Sequence, residues 1–215
     1  MDQNEHLVTY EHTNSYVTLN QLGPETKNVW LVFHGMGYLS RYFLRYFDEL
    51  PNNENYIIAP QAPSKYYLNN QFRHVGASWL TKEETVRETQ NVLAYIDAVV
   101  LKEQLPINLN LILLGFSQGV SIALRWAASR KINCSQLILY AGGIPNELTK
   151  SDVQFLREQG TQVKIFIGDE DEYLTEKRMP KEEEKIARLF DDSAQLTIFK
   201  GKHEVKKEII NNLVL

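Results

Sequence analysis

Short apolar runs alternate along the chain with longer segments whose apolar residues recur every three or four positions. The runs are Tyr16–Leu19, Val29–Phe33, Tyr56–Ala59, Leu109–Leu114, Leu137–Tyr140, Val163–Ile167 and Leu196–Phe199. They are rich in Val, Ile, Leu and aromatic residues, and several are apolar throughout, the pattern of strands buried on both faces. Between them, Leu39, Phe43, Phe47 and Leu50 share one helical stripe. Val86, Leu93, Ile96 and Val100 share another, on a helix opened by Glu83 and Glu84. The segment Gly119–Ala128 is apolar on almost every side, which predicts a helix buried at the centre of the molecule. Pro180–Phe190 reads as a helix with proline in its first turn, and His203–Leu215 as a helix closing the chain. Alternating strands and helices predict an α/β fold. Its central sheet has about seven strands, mostly parallel, with helices on both faces and the first strand antiparallel at the edge.

No internal repeat or Gly/Ser linker interrupts the pattern, so residues 1–215 read as a single domain. One connection stands apart. Residues 60–80 mix turn formers (Pro60, Pro63, Asn69, Asn70, Gly76) with Tyr66, Tyr67, Phe72 and Trp79. A loop of that length in a compact domain is usually functional, and it is expected at the edge of the sheet that carries the site.

Composition narrows the class. Lys and Arg number 23 against 27 Asp and Glu, a formal net charge of −4, and no Lys/Arg run exceeds a pair. That balance argues against nucleic acid or an anionic membrane as the main partner. The single cysteine, Cys134, excludes an internal disulfide and a thiolate metal cluster, and is expected to be a buried structural thiol. The first residues show no secretory pattern, and no apolar stretch reaches the roughly 20 residues needed to cross a bilayer. A reducing, cytoplasmic setting without stable membrane insertion is the expectation; oligomeric state is left open.

The strongest local signal is Gly115-Phe116-Ser117-Gln118-Gly119, between the run LNLILL and the buried helix. This is the context of a nucleophile elbow, a sharp strand-to-helix turn that exposes a serine hydroxyl between residues lacking side chains. A nucleophilic serine needs a base, and the base an orienting acid, in the chain order Ser, acid, His. His203 is the one histidine downstream of Ser117, and it follows the run QLTIF on the same edge of the sheet. In Gly168-Asp169-Glu170-Asp171 both aspartates are within reach of it, with spacing slightly in favour of Asp171. Backbone N–H donors for an oxyanion are expected at Met36, in the turn His34-Gly35-Met36-Gly37, and at Gln118. His34 precedes the serine and reads as a hydrogen-bonded structural histidine. Tyr38, Tyr66, Phe72 and Trp79 are candidate walls of a substrate cleft, Trp79 in particular as one wall of an acyl site. Nothing calls for a cofactor or a metal.

In order along the chain, HGMG, APQAP, GFSQG, GDED and GKH resemble the phospholipase/carboxylesterase family of α/β-hydrolases, the group that includes acyl-protein thioesterases. The resemblance runs from about Val29 to His203. It implies an α/β-hydrolase fold, with the nucleophile at Ser117, the base at His203 and oxyanion donors at Met36 and Gln118. Through a G-x-x-D pattern it places the acid on Asp171. Tyr38-Leu39-Ser40-Arg41 stands where members similar to acyl-protein thioesterases usually carry an Asp-containing turn, and Trp79-Leu80-Thr81 stands where they carry W-F-D. The implied activity is a serine esterase acting on small-molecule or acyl-chain esters, or thioesters, with no cofactor. Two alternatives are a non-catalytic ligand receptor on the same fold, and a peptidase or lactonase. Residues 141–162 are too few to carry the large cap those last enzymes often have.

Overall fold

The computed structural model describes residues 3–106 and 108–214. Seven of its strands form one sheet: β1 (Tyr16–Leu19), β2 (Asn28–Phe33), β3 (Asn55–Pro60), β6 (Asn110–Phe116), β7 (Gln136–Tyr140), β8 (Gln162–Gly168) and β9 (Ala194–Phe199). Their order is β1-β3-β2-β6-β7-β8-β9. Only β1 runs antiparallel, Tyr16 opposite Pro60 on β3; every other pairing in the sheet is parallel. Each strand matches one of the predicted runs, with Leu109 of the run Leu109–Leu114 falling just before β6.

Successive side chains of a strand point to opposite faces, and the core divides accordingly. Val29, Leu31 and Phe33 of β2, with Leu113 of β6 and Leu137 and Leu139 of β7, belong to the core on one face. Against it pack α2 (Thr85–Glu103), α3 (Gln118–Arg130), α4 (Lys150–Glu158) and α5 (Met179–Phe190). Trp30 and Val32, with Ile112, Leu114, Ile138 and Tyr140, face the other way. There they meet α1 (Ser40–Phe43), the 3₁₀ turn Leu44–Tyr46 that follows it, and α6 (Lys207–Asn211). The sheet is therefore covered on both sides, and residues 141–162 contribute only α4, without a large cap. Among the described residues no helix is long and apolar enough to cross a membrane.

The helix predicted to be buried all round is α3. Val120, Ile122, Ala123, Leu124, Trp126 and Ala127 are all buried, and the Trp126 indole donates to Asp97 Oδ1 at 2.8 Å, tying α3 to α2. Cys134 is buried at the end of this region, and burial pushes its thiol up to about 11.

Four local expectations need correction. The Leu39–Leu50 stripe is buried as predicted, but a single helical turn and a 3₁₀ turn carry it instead of one helix. On α2 the buried stripe is Val92, Leu93, Ile96 and Val99; Val86, in the first turn, is 77% exposed. The closing helix spans only Lys207–Asn211. Upstream of it, Lys206 N donates to the Tyr140 hydroxyl at 3.1 Å and Glu204 N to Lys202 O at 2.9 Å, in place of helical i to i−4 bonds. Finally, residues 60–80 are not plain loop. They fold into a hairpin of β4 (Ser64–Tyr67) and β5 (Val75–Ser78), with Tyr66 opposite Gly76.

Candidate active site

Ser117 sits between β6 and α3 with φ 54° and ψ −118°, a conformation that costs a non-glycine residue about 1–3 kcal/mol. The turn is possible because a β-carbon on Gly115 would strike the backbone of Gly119, and one on Gly119 would strike the carbonyl of Phe33. The Ser117 N–H donates to Tyr140 O at 2.9 Å, which anchors the strained residue to the next strand.

From this turn a line of hydrogen bonds runs across the carboxyl ends of three strands. Ser117 Oγ lies 2.8 Å from His203 Nε2, and His203 Nδ1 lies 2.8 Å from Asp171 Oδ2. Asp171 is buried, and its other oxygen accepts from the N–H groups of Tyr173 and Leu174 at 2.8 and 2.9 Å. A carboxylate so held accepts from Nδ1–H, which leaves Nε2 as the acceptor for the serine hydroxyl. Phe116 and Tyr173 pack on the His203 ring with centroids 5.1 and 4.6 Å away. Ring orientation is thereby set by packing as well as by hydrogen bonds. The order serine, imidazole, carboxylate is one that can deprotonate a hydroxyl as it attacks a carbonyl.

Asp169, the other aspartate of the GDED segment, has a different task. Its Oδ1 accepts from Gly201 N at 3.0 Å and its Oδ2 lies 3.2 Å from Lys200 Nζ, and these contacts hold its carboxyl below the usual range. It pins the loop that carries His203.

The turn after β2 places Met36 beside this line. Tyr38 N donates to Gly35 O at 3.2 Å, while Gly37 N donates to Ala77 O and Ala77 N to Tyr38 O, so the β4–β5 hairpin grips the turn from outside. Among the described residues, the N–H groups of Met36 and Gln118 have no hydrogen-bond acceptor. The Gln118 side chain makes a clamp. Its Oε1 accepts from Trp79 N at 2.8 Å, and its Nε2 donates to Leu80 O at 2.7 Å.

His34 is fully buried. Its Nδ1–H donates to Gly35 O at 2.8 Å and its Nε2 accepts from Ala62 N at 3.2 Å. Burial outweighs the Gly35 hydrogen bond and lowers its pKa to about 4. It is a neutral structural histidine bridging two loops.

A cleft of about 350 Å³ opens above Ser117, walled by Met36, Tyr38, Phe116, Tyr173, Leu174 and His203. Of the candidate aromatic walls, only Tyr38 lines it. Trp79 is 1% exposed; its indole donates to His34 O at 2.8 Å and its ring meets Phe33 edge-on, so it forms core and no wall of the cleft. Phe72 packs edge-to-face on Tyr67 at the far end of the hairpin, and Tyr66 is exposed on β4. In their place the cleft takes Tyr173, Leu174 and Arg178, which sequence reasoning missed. Tyr173 and Leu174 come two and three residues after Asp171, and their two backbone bonds to its carboxylate turn that segment inward. Arg178 donates to Tyr173 O at 3.1 Å and to the buried Glu182 at 3.3 Å. Burial alone would raise the Glu182 carboxyl, but Ile144 N–H, Lys185 and Arg178 hold it below its usual value. Among the described residues, no group of three His, Cys, Asp or Glu side chains is placed to hold a metal ion.

The sequence pattern of the family described as phospholipase/carboxylesterase matches residues 16–214. No curated protein matches the chain in sequence. Among solved structures, acyl-protein thioesterase 2 of Zea mays superposes with a TM-score of 0.69 at 16% identity, covering 94% of this chain and 96% of that one. A phospholipase/carboxylesterase of Dyadobacter fermentans gives 0.62 at 20% identity over 96% and 98%. A carboxylesterase of Bacillus cereus gives 0.62 at 17% over 93% and 91%. At such identities the likeness is one of fold.

Proposed function

The chain belongs to the phospholipase/carboxylesterase family, and from that premise we propose that it is a serine hydrolase of small carboxylic esters or thioesters. Ser117 attacks the acyl carbonyl, and His203 takes its proton at Nε2. Asp171 holds the imidazole in the required tautomer and balances its charge when it becomes imidazolium. The N–H groups of Met36 and Gln118 donate to the oxygen as it becomes negative. The alkoxide or thiolate leaves with the proton from His203. Water then enters, is deprotonated by the same imidazole, and releases the acid from Ser117.

The observation that carries this reading is the pair of 2.8 Å hydrogen bonds linking Ser117, His203 and Asp171. Two further features agree with it. The N–H groups assigned to the oxyanion are free of protein acceptors among the described residues. The cleft is open and small, and among the described residues no cap lies over it, which suits compact esters better than folded peptides. A cytoplasmic setting belongs to the same reading, since a lone buried thiol such as Cys134 suits a reducing compartment.

The test is steady-state hydrolysis of p-nitrophenyl and thioester substrates of increasing acyl length. The wild type turns over short acyl esters. Ser117→Ala and His203→Ala each lose at least about a thousandfold in kcat. Retention of activity in either variant would refute the assignment.

A further inference from the structure

Beside the Ser117 cleft lies a second cavity, of about 480 Å³. Tyr38 is a wall of both. One side of the second cavity is the segment from Gly37 to Tyr42 with Arg45, and the other is the β4–β5 hairpin through Leu68, Arg73, His74 and Val75. The two sides are locked together by the hydrogen bonds between Gly37, Tyr38 and Ala77. Its basic lining is Arg41, Arg45, Arg73 and His74, and among the described residues no aspartate or glutamate lines it.

This is unexpected in a chain of net charge −4. Among the described residues, none of the three arginines makes a salt bridge. The nearest acidic residues in sequence, Asp48 and Glu49, are engaged by Lys207. Like charges gathered in a concave site repel one another and raise the local concentration of anions. Two of the guanidinium groups are braced: Arg41 lies 4.7 Å from the centre of the Tyr42 ring and Arg45 5.5 Å from that of Tyr46. A braced guanidinium is suited to the planar recognition of carboxylate or phosphate oxygens.

Resting on the hydrolase reading above, we propose that the natural substrate carries an anionic group, carboxylate or phosphate, a few bonds from the scissile carbonyl. The Arg41–Arg45–Arg73 cavity binds that group while Ser117 addresses the ester. Tyr38 separates the two compartments and sets the distance between the charged group and the reacting carbon. The enclosing hairpin wall favours a small anion over a flat membrane surface. Neither Arg41 nor Arg73 touches the reacting atoms; both are specificity-determining residues.

The experiment compares kcat/KM for matched anionic and neutral esters after subtraction of the uncatalysed rates. Mono-p-nitrophenyl glutarate against p-nitrophenyl pentanoate places a carboxylate on the acyl side. 4-Acetoxybenzoate against its methyl ester places it on the leaving group. 4-Acetoxyphenyl phosphate against 4-methoxyphenyl acetate tests phosphate at that same position. The wild type prefers the anionic member of at least one pair by about tenfold or more at low salt, as a charge-assisted hydrogen bond would give. The preference shrinks as ionic strength rises. Arg41→Gln and Arg73→Gln reduce the anionic-to-neutral ratio about tenfold, and Arg41→Lys restores part of it. A ratio near one in all three pairs, or one that neither variant moves, overturns the inference. So does binding of phosphatidylserine vesicles that is lost in these variants without any substrate preference. Turnover of neutral esters without anion preference removes this inference alone. No turnover of any ester, with Ser117 unreactive toward a fluorophosphonate, removes the hydrolase reading and this inference with it.

Discussion

Ser117, His203 and Asp171 were readable as residue types in their chain order, because a G-x-S-x-G between strand and helix is a demanding local geometry. The choice between Asp169 and Asp171 was harder. Both leave β8 at its end, and the difference lies in partners a sequence does not display. Asp171 turns back because Tyr173 and Leu174 N–H groups hold one oxygen, whereas Asp169 is held by Gly201 N and Lys200. Replacing Asp171 by Asn keeps the size but gives the imidazole a neutral partner able to donate as well as accept. The expected loss in kcat is roughly a hundred- to ten-thousandfold with little change in thermal stability. Gln118 invites a complementary test. Its backbone N–H is assigned to the oxyanion, while its side chain clamps Trp79 and Leu80. Gln118→Ala keeps the first and removes the second, and should cost about 1–3 kcal/mol by chemical denaturation.

At the scale of elements, the central strands β2, β3, β6 and β7 are legible because they are near-continuous runs of buried residues, and burial on both faces leaves a strong signature, whereas β8 and the partly exposed edge strands β1 and β9 are legible by their β-branched and aromatic content. The β4–β5 hairpin is not. Ser64–Tyr67 is wholly exposed and Val75–Ser78 is small and contains glycine, so neither shows apolar alternation. Its purpose is backbone approach: a β-carbon on Gly76 would come within 2.5 Å of Gly37 O and 2.7 Å of a Leu68 methyl. Trp79 departs from the sequence expectation for a related reason. Its position at the end of that segment suggested the cleft, but the indole N–H finds its acceptor at His34 O, inside the core. Gly76→Val should therefore push the hairpin away from the turn that carries Met36. Far-UV circular dichroism should be preserved, since the main sheet is untouched, while kcat falls by about a hundred- to a thousandfold, in keeping with loss of one oxyanion donor. Unchanged kcat would show that the turn keeps its shape without the hairpin's grip.

For the molecule as a whole, His34 links stability to pH. Its ordinary value is 6.5 and burial lowers it to about 4 in the folded protein. The unfolded chain thus binds a proton between those values that the folded chain refuses. The stabilisation is complete above pH 6.5 and is lost as pH falls toward 4, by about 3 kcal/mol over the window. His34→Gln should be less stable at pH 7.5 yet show a shallower decline between pH 6.5 and 4, measured by urea unfolding at each pH. A parallel decline in both proteins would assign the acid sensitivity elsewhere.

The account turns on whether Ser117 is an activated nucleophile. The most direct measurement is reaction of the folded protein with a fluorophosphonate probe, with the modified residue located by peptide mass spectrometry. The expected result is one adduct, on Ser117, formed by the wild type and absent from Ser117→Ala. A folded wild type that forms no adduct, or forms it on another serine, would contradict the account.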